Sequence, residues 1–351
     1  MAPAGELTRA RIIVPLDGSP AAEAVLPHAV TLARATSSTL CLVMVVEPHS
    51  TLWTDYQTTQ PGEPDYIHQL REAELAEARG YLASVAHRIG EEGNEPKYEV
   101  LQGDAALTLV QYAQRDPRIK LIAMTTYGRR GAGQWPLGSV SEKVLCAATK
   151  PLLVVRPNEQ SCPPALSSYR PYRHILVPLD GSVLAEQALD QACTIALGTG
   201  ATLLLVSAVT PPEDMGRLPT GVRMPMSLSA WQAEVDCIAS YLRRIALELH
   251  DRSPFLRLIT QIIADHPDIA ILDMSQRMDC DLIVMSTHGK NAGGGHGHTW
   301  LGSIALKVVQ SASSPVLLVR SKEVSDLKQW IESEDLQNHL DTCTQAAYSE
   351  A

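Results

Sequence analysis

The chain has 351 residues, of which 45% are hydrophobic and 19% are charged, and this length suits two domains of ordinary size. The net charge of −10 provides no overall positive field for a nucleic-acid backbone or an anionic membrane surface, so those two partner classes are disfavoured. The longest apolar run is too short to span a bilayer and the first residues lack an apolar signal core, so we expect a soluble, cytoplasmic protein.

Short apolar runs alternate with helical stretches through the first half of the chain. They predict five strands, near Ile12–Pro15, Thr39–Val46, Tyr98–Gln102, Lys120–Thr125 and Leu152–Val155. The runs are continuous, and such strands are typical of a sheet covered by helices on both faces. The pattern therefore predicts a parallel, doubly wound α/β unit.

A glycine-rich loop follows the fourth predicted strand, in the segment MTTYGRRGAGQWPLGSV at residues 124–140. We expect Ser139 to be the N-cap of a helix that runs to Ala148, with free N–H groups that favour an anion. The glycines Gly128, Gly131 and Gly133 let the backbone approach a ligand, and Arg129 and Arg130 add charge-assisted contacts to phosphate. The alternative is a surface turn followed by an ordinarily capped helix. Neither a P-loop nor a G-x-G-x-x-G fingerprint is present, and no catalytic nucleophile motif stands out.

The second half of the chain repeats the first. RIIVPLDGS at residues 11–19 returns as HILVPLDGS at 174–182, and GSVSEKVLCAATKPLLVVR at 138–156 returns as GSIALKVVQSASSPVLLVR at 302–320. The predicted fold is therefore α/β, with two tandem doubly wound parallel-sheet, Rossmann-like domains of five strands each. The predicted bounds are 1–157 and 173–322 for the domains, 158–172 for a linker rich in proline and serine, and 323–351 for a helical tail.

The long helix of the second unit is predicted by a 3-4-3-4 apolar spacing. Its buried face is expected to contain Val235, Ile238, Leu242, Ile245 and Leu249. Two other segments leave alternatives open. The tail, with Trp330 on its apolar side, docks on its own domain or on a partner subunit, and the segment 47–65 forms a lid over the first site or a long loop.

The cysteines and histidines indicate no metal site. The seven cysteines never have C-x-x-C spacing, which favours reduced thiols that mostly serve as small core residues. His288, His296 and His298 suggest metal binding, but the surrounding loop contains no cysteine or carboxylate to complete a ligand set. We therefore expect no metal, and interpret these histidines as part of a surface insertion or as phosphate contacts.

In both halves a first strand ends in VPLDGS, and later come a strand, a glycine loop that ends in G-S, a helix and a last strand such as PLLVVR. This order resembles the universal stress protein family in its tandem form, over residues 10–156 and 173–320. The resemblance implies that both domains have the adenine nucleotide alpha hydrolase-like form of the Rossmann-like fold. The family's ATP-binding pattern is G-x-x-G, nine residues, then G-[ST]. Gly128 and Gly138-Ser139 match its second part, whereas Thr125 replaces the first glycine. In the second unit Ser286 replaces that glycine, Gly289 matches, and the spacer to Gly302-Ser303 has twelve residues.

The resemblance implies that each unit binds ATP or a related adenine nucleotide, with Mg²⁺ as an optional companion. Asp17 and Asp180 would bond the ribose or adenine, although an aspartate before Gly-Ser often satisfies only nearby backbone N–H groups. Val45 and Ala208 match the positions that pack the adenine. Gly103 fits the family's turn after the third strand, where Ala264 stands in the second unit. The implied nucleotide contacts are Pro15, Leu16, Asp17, Val45, Gly103, Thr125, Gly128, Arg129, Gly131, Gly138, Ser139, Pro178, Leu179, Asp180, Ala208, Ser286, Gly289, Gly302 and Ser303.

The resemblance also implies a nucleotide-responsive stress or regulatory protein, not an enzyme with rapid turnover. The two domains are expected to pair across Leu152–Val155 and Val316–Val319, and a homodimer is left open. The alternative function is an interaction module that keeps the fold but binds no nucleotide, which the changes at Thr125, Ser286 and the second spacer favour. Slow ATP hydrolysis is a third alternative.

Overall fold

The computed structural model describes residues 9–47, 64–90, 96–128, 137–157, 170–212, 228–290 and 301–320. These residues belong to two compact units, and each unit contains five parallel strands with helices between them. No helix in the described ranges combines the length and the apolar character that crossing a membrane requires.

The first unit confirms the predicted strands, each within one residue. Its elements are β1 (Arg11–Pro15), α1 (Pro20–Glu23), α2 (Leu26–Ala35), β2 (Thr39–Val46), α3 (Pro64–Gly90), β3 (Lys97–Gln102), α4 (Ala105–Arg115), β4 (Ile119–Thr125), α5 (Ser139–Ala147) and β5 (Leu152–Val155). The sequence explains why α1 begins at Pro20. Ser19 is the N-cap and accepts a hydrogen bond from Ala22 N–H, and proline is favoured as the first helical residue.

The second unit repeats this order of elements. They are β6 (His174–Pro178), α6 (Val183–Glu186), α7 (Ala188–Thr199), β7 (Thr202–Ala208), α8 (Leu228–Arg252), β8 (Arg257–Ile263), α9 (Pro267–Arg277), β9 (Leu282–Ser286), α10 (Ser303–Ser311) and β10 (Val316–Val319). The predicted face of α8 is buried at Leu242, Ile245 and Leu249, and is half-buried at Val235 and Ile238. Tyr172, at the end of the predicted linker, is buried in this unit.

The strand order positions a crevice in each unit. It is β3-β2-β1-β4-β5 in the first unit and β8-β7-β6-β9-β10 in the second. From β1 the chain first winds toward β3 and then continues on the other side at β4, so the order reverses between β1 and β4, and likewise between β6 and β9. Open α/β sheets bind ligands at the carboxyl ends of the strands at such a reversal. The predicted doubly wound fold is therefore confirmed.

The central strands form the core, and the outer strands do not match the expectation that helices cover both faces of every strand. The middle residues of β1, Ile12 to Val14, are at most 2% exposed. In β3 and β8, by contrast, most side chains are exposed or half-buried. Each of these two strands pairs with only one neighbour in its unit, so one long edge of its backbone faces outward.

A partly buried carboxylate, that of Glu23, joins α1 to α3 in the first unit. Glu23 accepts a hydrogen bond from the Tyr81 hydroxyl at 3.0 Å and pairs with both oxygens to Arg88 at 2.9 Å. In the second unit Glu186 pairs with Arg244 at 3.3 Å. The buried hydroxyl of Tyr241 lies near Glu186 but makes no hydrogen bond of normal geometry with a described residue. The same glutamate and tyrosine positions therefore differ between the repeats in hydrogen bonding.

This difference predicts unequal effects of two matched substitutions. We expect Tyr81→Phe to lower the free energy of unfolding by about 1–2 kcal/mol, because the hydrogen bond to a charged acceptor is lost. Tyr241→Phe should lower it by less than Tyr81→Phe does, because no hydrogen bond of normal geometry to Glu186 is lost there. Urea denaturation of both variants and the unaltered protein measures the difference, and equal losses in the two variants contradict it.

Candidate functional site

The carboxylates of Asp17 and Asp180 are each held by one oxygen at the end of the first strand of their unit. Asp17 Oδ1 accepts hydrogen bonds from the backbone N–H of Ser19 at 3.0 Å and from its hydroxyl at 2.6 Å. Asp180 makes the same two bonds to Ser182 at the same distances. This turn is the local backbone role that an Asp-Gly-Ser sequence favours. It fixes the orientation of the carboxylate and directs its other oxygen away from the turn.

The second oxygen of each aspartate faces the glycine loop across the strand reversal. A Cβ atom at Gly128 would collide with Asp17 Oδ2, and one at Gly289 would collide with Asp180 Oδ2. In the second unit the backbone N–H of Lys290 donates to Asp180 Oδ2 at 2.6 Å. Neither glycine has a positive φ, so their role here is close approach: a Cβ at either position would force the aspartate carboxylate to move.

Hydroxyl groups at the ends of β4 and β9 hold the turns that lead to these glycines. Thr125 Oγ1 donates to the carbonyl oxygen of Tyr127 at 2.9 Å, and Ser286 Oγ donates to that of His288. Both Thr125 and Ser286 are 6% exposed. Their hydroxyls thus bond to the chain's own backbone, where the family's pattern has a glycine.

The N-cap of the helix after the loop is Gly138, so the expectation for Ser139 was wrong. The carbonyl of Gly138 accepts the first helical bond from Glu142 N–H at 2.9 Å, and Ser139 is the first helical residue. The N-cap residues of α5 and α10, Gly138 and Gly302, have no side chain with which to cap the helix. The helix ends at Ala147, one residue before its expected end. Within the described residues, the N–H groups of both first turns therefore donate no hydrogen bond to an N-cap side chain, as an anion site at a helix start requires.

The two cap glycines also hold the loop against the preceding strand. Gly138 N–H donates to Thr126 O at 2.7 Å, and Gly302 N–H donates to Thr287 O at 2.8 Å. A Cβ on Gly138 would lie 3.4 Å from Thr126 O, and a Cβ on Gly302 would lie 3.2 Å from Thr287 O. An alanine would fit more easily at Gly138, where the contact is ordinary, than at Gly302.

The surroundings of the two helix starts differ in charge and in hydrogen bonding. Glu142 lies in the first turn of α5, and burial raises the pKa of its carboxyl group. Leu306 takes the equivalent place in α10. The buried Thr126 hydroxyl has no hydrogen-bond partner among the described residues, whereas Thr287 Oγ1 lies 3.2 Å from His288 Nδ1. The first site therefore holds an unused hydroxyl beside its helix start, and the second does not.

Other predicted contact residues lie along the same sheet edge. The N–H groups of Leu16 and Leu179 donate to the carbonyls of Val43 and Val206 at 2.8 Å, and both leucine side chains are buried. These two leucines, which follow Pro15 and Pro178, extend the sheet and bring the aspartates to its edge. Val45 and Ala208 are half-buried, which leaves surface for a ligand. The exposed Ser139 and Ser303 stand at the helix starts.

The turn after the third strand differs between the units. Gly103 has a φ of +135° and its N–H donates to Val46 O at 3.2 Å. Among the described residues other than glycine only Ser37 and Asp279 have positive φ, so Ala264 adopts a different backbone in the corresponding turn. The change from Gly103 to Ala264 therefore corresponds to a different backbone conformation in this turn.

Several predicted features lie outside the described residues. These are Arg129, Arg130, Gly131, Gly133, His296, His298, Trp53, Tyr56 and the tail after Arg320. Within the described ranges, no group of three or more histidine, cysteine, aspartate or glutamate side chains could hold a metal ion.

Sequence reasoning missed the roles of Ser19, Ser182 and Lys290. The repeated D-G-S triplet was the available signal for the serines, because an aspartate and a serine two residues apart commonly form such a turn. Lys290 acts through its backbone N–H, so the identity of its side chain carried no signal.

Comparisons with known proteins place the chain in a family. The model of the universal stress protein family matches residues 8–156 and again 171–320. A universal stress protein of Mycobacterium tuberculosis strain H37Rv is 27% identical over 323 residues, covering 89% of this chain and 96% of its own. A crystal structure of a universal stress protein from Archaeoglobus fulgidus, 20% identical with a TM-score of 0.58, matches 88% of this chain and 98% of its own. One from Pseudomonas aeruginosa, 17% identical with a TM-score of 0.60, matches 94% of this chain and 100% of its own. The chain therefore belongs to the universal stress protein family, as its motifs indicated.

The bond from Lys290 N–H to Asp180 predicts a local opening that hydrogen exchange can detect. In Asp180→Ala we expect the Lys290 amide to exchange about tenfold faster or more, because a bond to a charged acceptor is lost. Asp17→Ala is the matched control in the other unit and should leave Lys290 unchanged. NMR hydrogen exchange measures both variants, and an unchanged Lys290 rate in Asp180→Ala contradicts the assigned bond.

Proposed function

We propose that this universal stress protein binds ATP or a related adenine nucleotide at the strand reversal of each unit and acts as a nucleotide-responsive regulatory protein. The observation that carries the proposal is a duplicated arrangement. In both units an oriented carboxylate, a glycine in close approach to it and a helix start without a side-chain cap come from neighbouring strands of one sheet. Such an edge is where parallel α/β sheets bind their ligands.

The residues of the first unit suit the parts of such a nucleotide. The half-buried Val45 would pack the adenine, and Asp17 would accept hydrogen bonds from the ribose or the base. The phosphates would lie at the N–H groups of α5, where the helix dipole favours negative charge. Arg129 and Arg130 would add charge. Because the described residues contain no three-residue metal cluster, we propose that Mg²⁺, where used, arrives with the phosphates.

Binding would change the glycine loop, which gives the proposed signal. In the second unit Asp180 Oδ2 already accepts from Lys290 N–H, so a nucleotide that bonds to this oxygen must share or displace that bond. Nucleotide occupancy would therefore move the loop relative to the strand end and alter the surface offered to a partner. Such a shift needs only different affinities of the nucleotide for the two loop conformations.

The second candidate function is an interaction module that binds no nucleotide. It is favoured by the hydroxyls of Thr125 and Ser286, which lie where the family's pattern has a glycine and bond to the chain's own turn. The second unit supports it more strongly, since its spacer is longer and its turn at Ala264 follows a different path.

The proposal predicts nucleotide in the protein purified without added ligand. Denatured samples analysed by ion-exchange chromatography should release one or two equivalents of adenine nucleotide per chain. Gly138→Val should remove the nucleotide of the first site, because a branched side chain there enters the space above Thr126 and the first turn of α5. Gly302→Val is the matched change for the second site, so the two variants assign any nucleotide to a unit.

Folding defects are separable in this experiment. Gly138 has φ −77° and ψ 155°, an extended backbone that valine adopts readily, so circular dichroism should show a folded variant. Empty protein that also fails to bind added ATP in calorimetry favours the interaction module.

We also expect ATP hydrolysis to be slow or absent. Activation of water needs a base and usually a metal ligand set, and Asp17 is the only carboxylate we assign to the first site, with one oxygen bonded to Ser19. A phosphate-release assay measures turnover. Rapid release that disappears in Asp17→Ala overturns this expectation.

A further inference from the structure

A groove of about 370 Å³ lies in the second unit between α8 and β8. The helix lines it with Ala239, Leu242, Arg243 and Ala246, and the strand lines it with residues 260–262. The helical residues are spaced by three, four and seven positions and therefore share one face. Ala239, Leu242 and Ala246 are apolar. The two alanines are small, so the groove leaves room for small side chains of a ligand.

The backbone of β8 is open on the side away from β7. Ile263 O accepts a hydrogen bond from Val209 N–H at 2.8 Å, so the peptide groups of Ile263 point toward β7. Successive residues of a strand direct these groups to opposite sides, and those of Thr260 and Ile262 therefore point outward. No strand of the described residues pairs with β8 on that side. An edge of this kind can accept an added strand.

The groove carries an unpaired positive charge. Arg243 is exposed and has no carboxylate partner among the described residues. Its neighbour Arg244, by contrast, pairs with Glu186 at 3.3 Å and with Glu248 at 2.7 Å. A free guanidinium beside an apolar wall favours a ligand that carries a carboxylate, because it pairs with that group through charge-assisted hydrogen bonds.

The first unit arranges its charges differently at the matching positions. Tyr81-Leu82 aligns with Tyr241-Leu242, so Ala83 stands where the second unit has Arg243. Val43 and Val206 occupy the same place in the two sheets, and they pair with Glu99 and Gln261. The first unit thus carries its cation at Arg79, which matches Ala239, and has an additional acid, Glu99, at this edge. The position of the cation and the charge of the strand edge therefore differ between the repeats.

Apolar side chains are exposed next to the groove. Phe255, just before β8, is 91% exposed, and Ile259 within the strand is 43% exposed. Large exposed apolar groups beside an unpaired strand edge are typical of interaction sites.

We propose that this groove binds an extended acidic segment of a partner protein, which adds to β8 as a further strand. The segment's backbone would pair with the outward groups of Thr260 and Ile262, as in other cases of strand addition. Its alternate, small side chains would enter the groove against Leu242 and Ala246. A glutamate or aspartate would pair with Arg243. The proposal does not depend on nucleotide binding.

The test uses three fluorescein-labelled hexapeptides of alternating valine and threonine with one glutamate at the first, third or fifth position. Three matched peptides carry lysine instead. We expect at least one glutamate peptide to bind about tenfold more tightly than its lysine counterpart in fluorescence anisotropy. NMR hydrogen exchange should show protection at Thr260 and Ile262 on binding, with Gln261 unchanged, because only the first two direct their peptide groups outward.

Two variants and a control complete the test. Arg243→Glu should reverse the preference between glutamate and lysine peptides, and Ala246→Phe should abolish binding by filling the groove. Arg277→Glu on α9 makes the same charge change at an exposed position away from the groove and should have no effect. Circular dichroism confirms that each variant is folded.

Three results overturn the proposal. The first is absence of binding by all three glutamate peptides at millimolar concentration. The second is equal binding of glutamate and lysine peptides, or no protection at Thr260 and Ile262. The third is a concentration-dependent dimer in sedimentation that Ala246→Phe dissociates, which assigns the groove to a second copy of this chain.

Discussion

Both candidate sites depend on the close approach of a carboxylate to a glycine across the strand reversal. Asp17 and Gly128 follow neighbouring strands, and the carboxylate occupies the space that a Cβ would need. Because Ser19 fixes one oxygen of that carboxylate, the position of the other oxygen is set by the β1 turn. The path of the glycine loop is therefore determined by a polar contact with β1 as well as by its own flexibility.

The repeats keep this contact and differ in what surrounds it. Gly289 approaches Asp180 as Gly128 approaches Asp17, and both helix starts lack a side-chain cap. Around them the first unit has a half-buried acid at Glu142 and a Thr126 hydroxyl without a hydrogen-bond partner among the described residues. The second unit has Leu306 and a threonine close to His288 at the same places. The polarity next to a bound phosphate would thus differ. Two sites built on one scaffold need not have the same affinity or the same ligand.

Much of the fold could be predicted because its signals are local. Each strand of the first unit was a continuous apolar run, and the repeated VPLDGS and G-S motifs located the carboxyl edge. The N-cap at Gly138 could not be predicted in this way, since Ser139 is the better capping residue by type and only the backbone angles decide which of the two is outside the helix. The bond from Lys290 N–H and the exposed edge of β8 depend on tertiary neighbours, which a single sequence does not specify.

A chain of contacts connects the second candidate site with the groove beside β8. The turn at Asp180 holds Ser182, the N-cap of α6, and Glu186 at the end of α6 pairs with Arg244, the neighbour of Arg243. The coupling free energy between the two sites is limited by the weakest contact of this chain, the ion pair of Arg244 with Glu186. The side chains of Arg244 and Glu186 are 52% and 28% exposed, and ion pairs of this kind contribute about 0–1 kcal/mol. Coupling between allosteric sites is typically about 1–3 kcal/mol, so nucleotide binding and peptide binding in this unit should be largely independent.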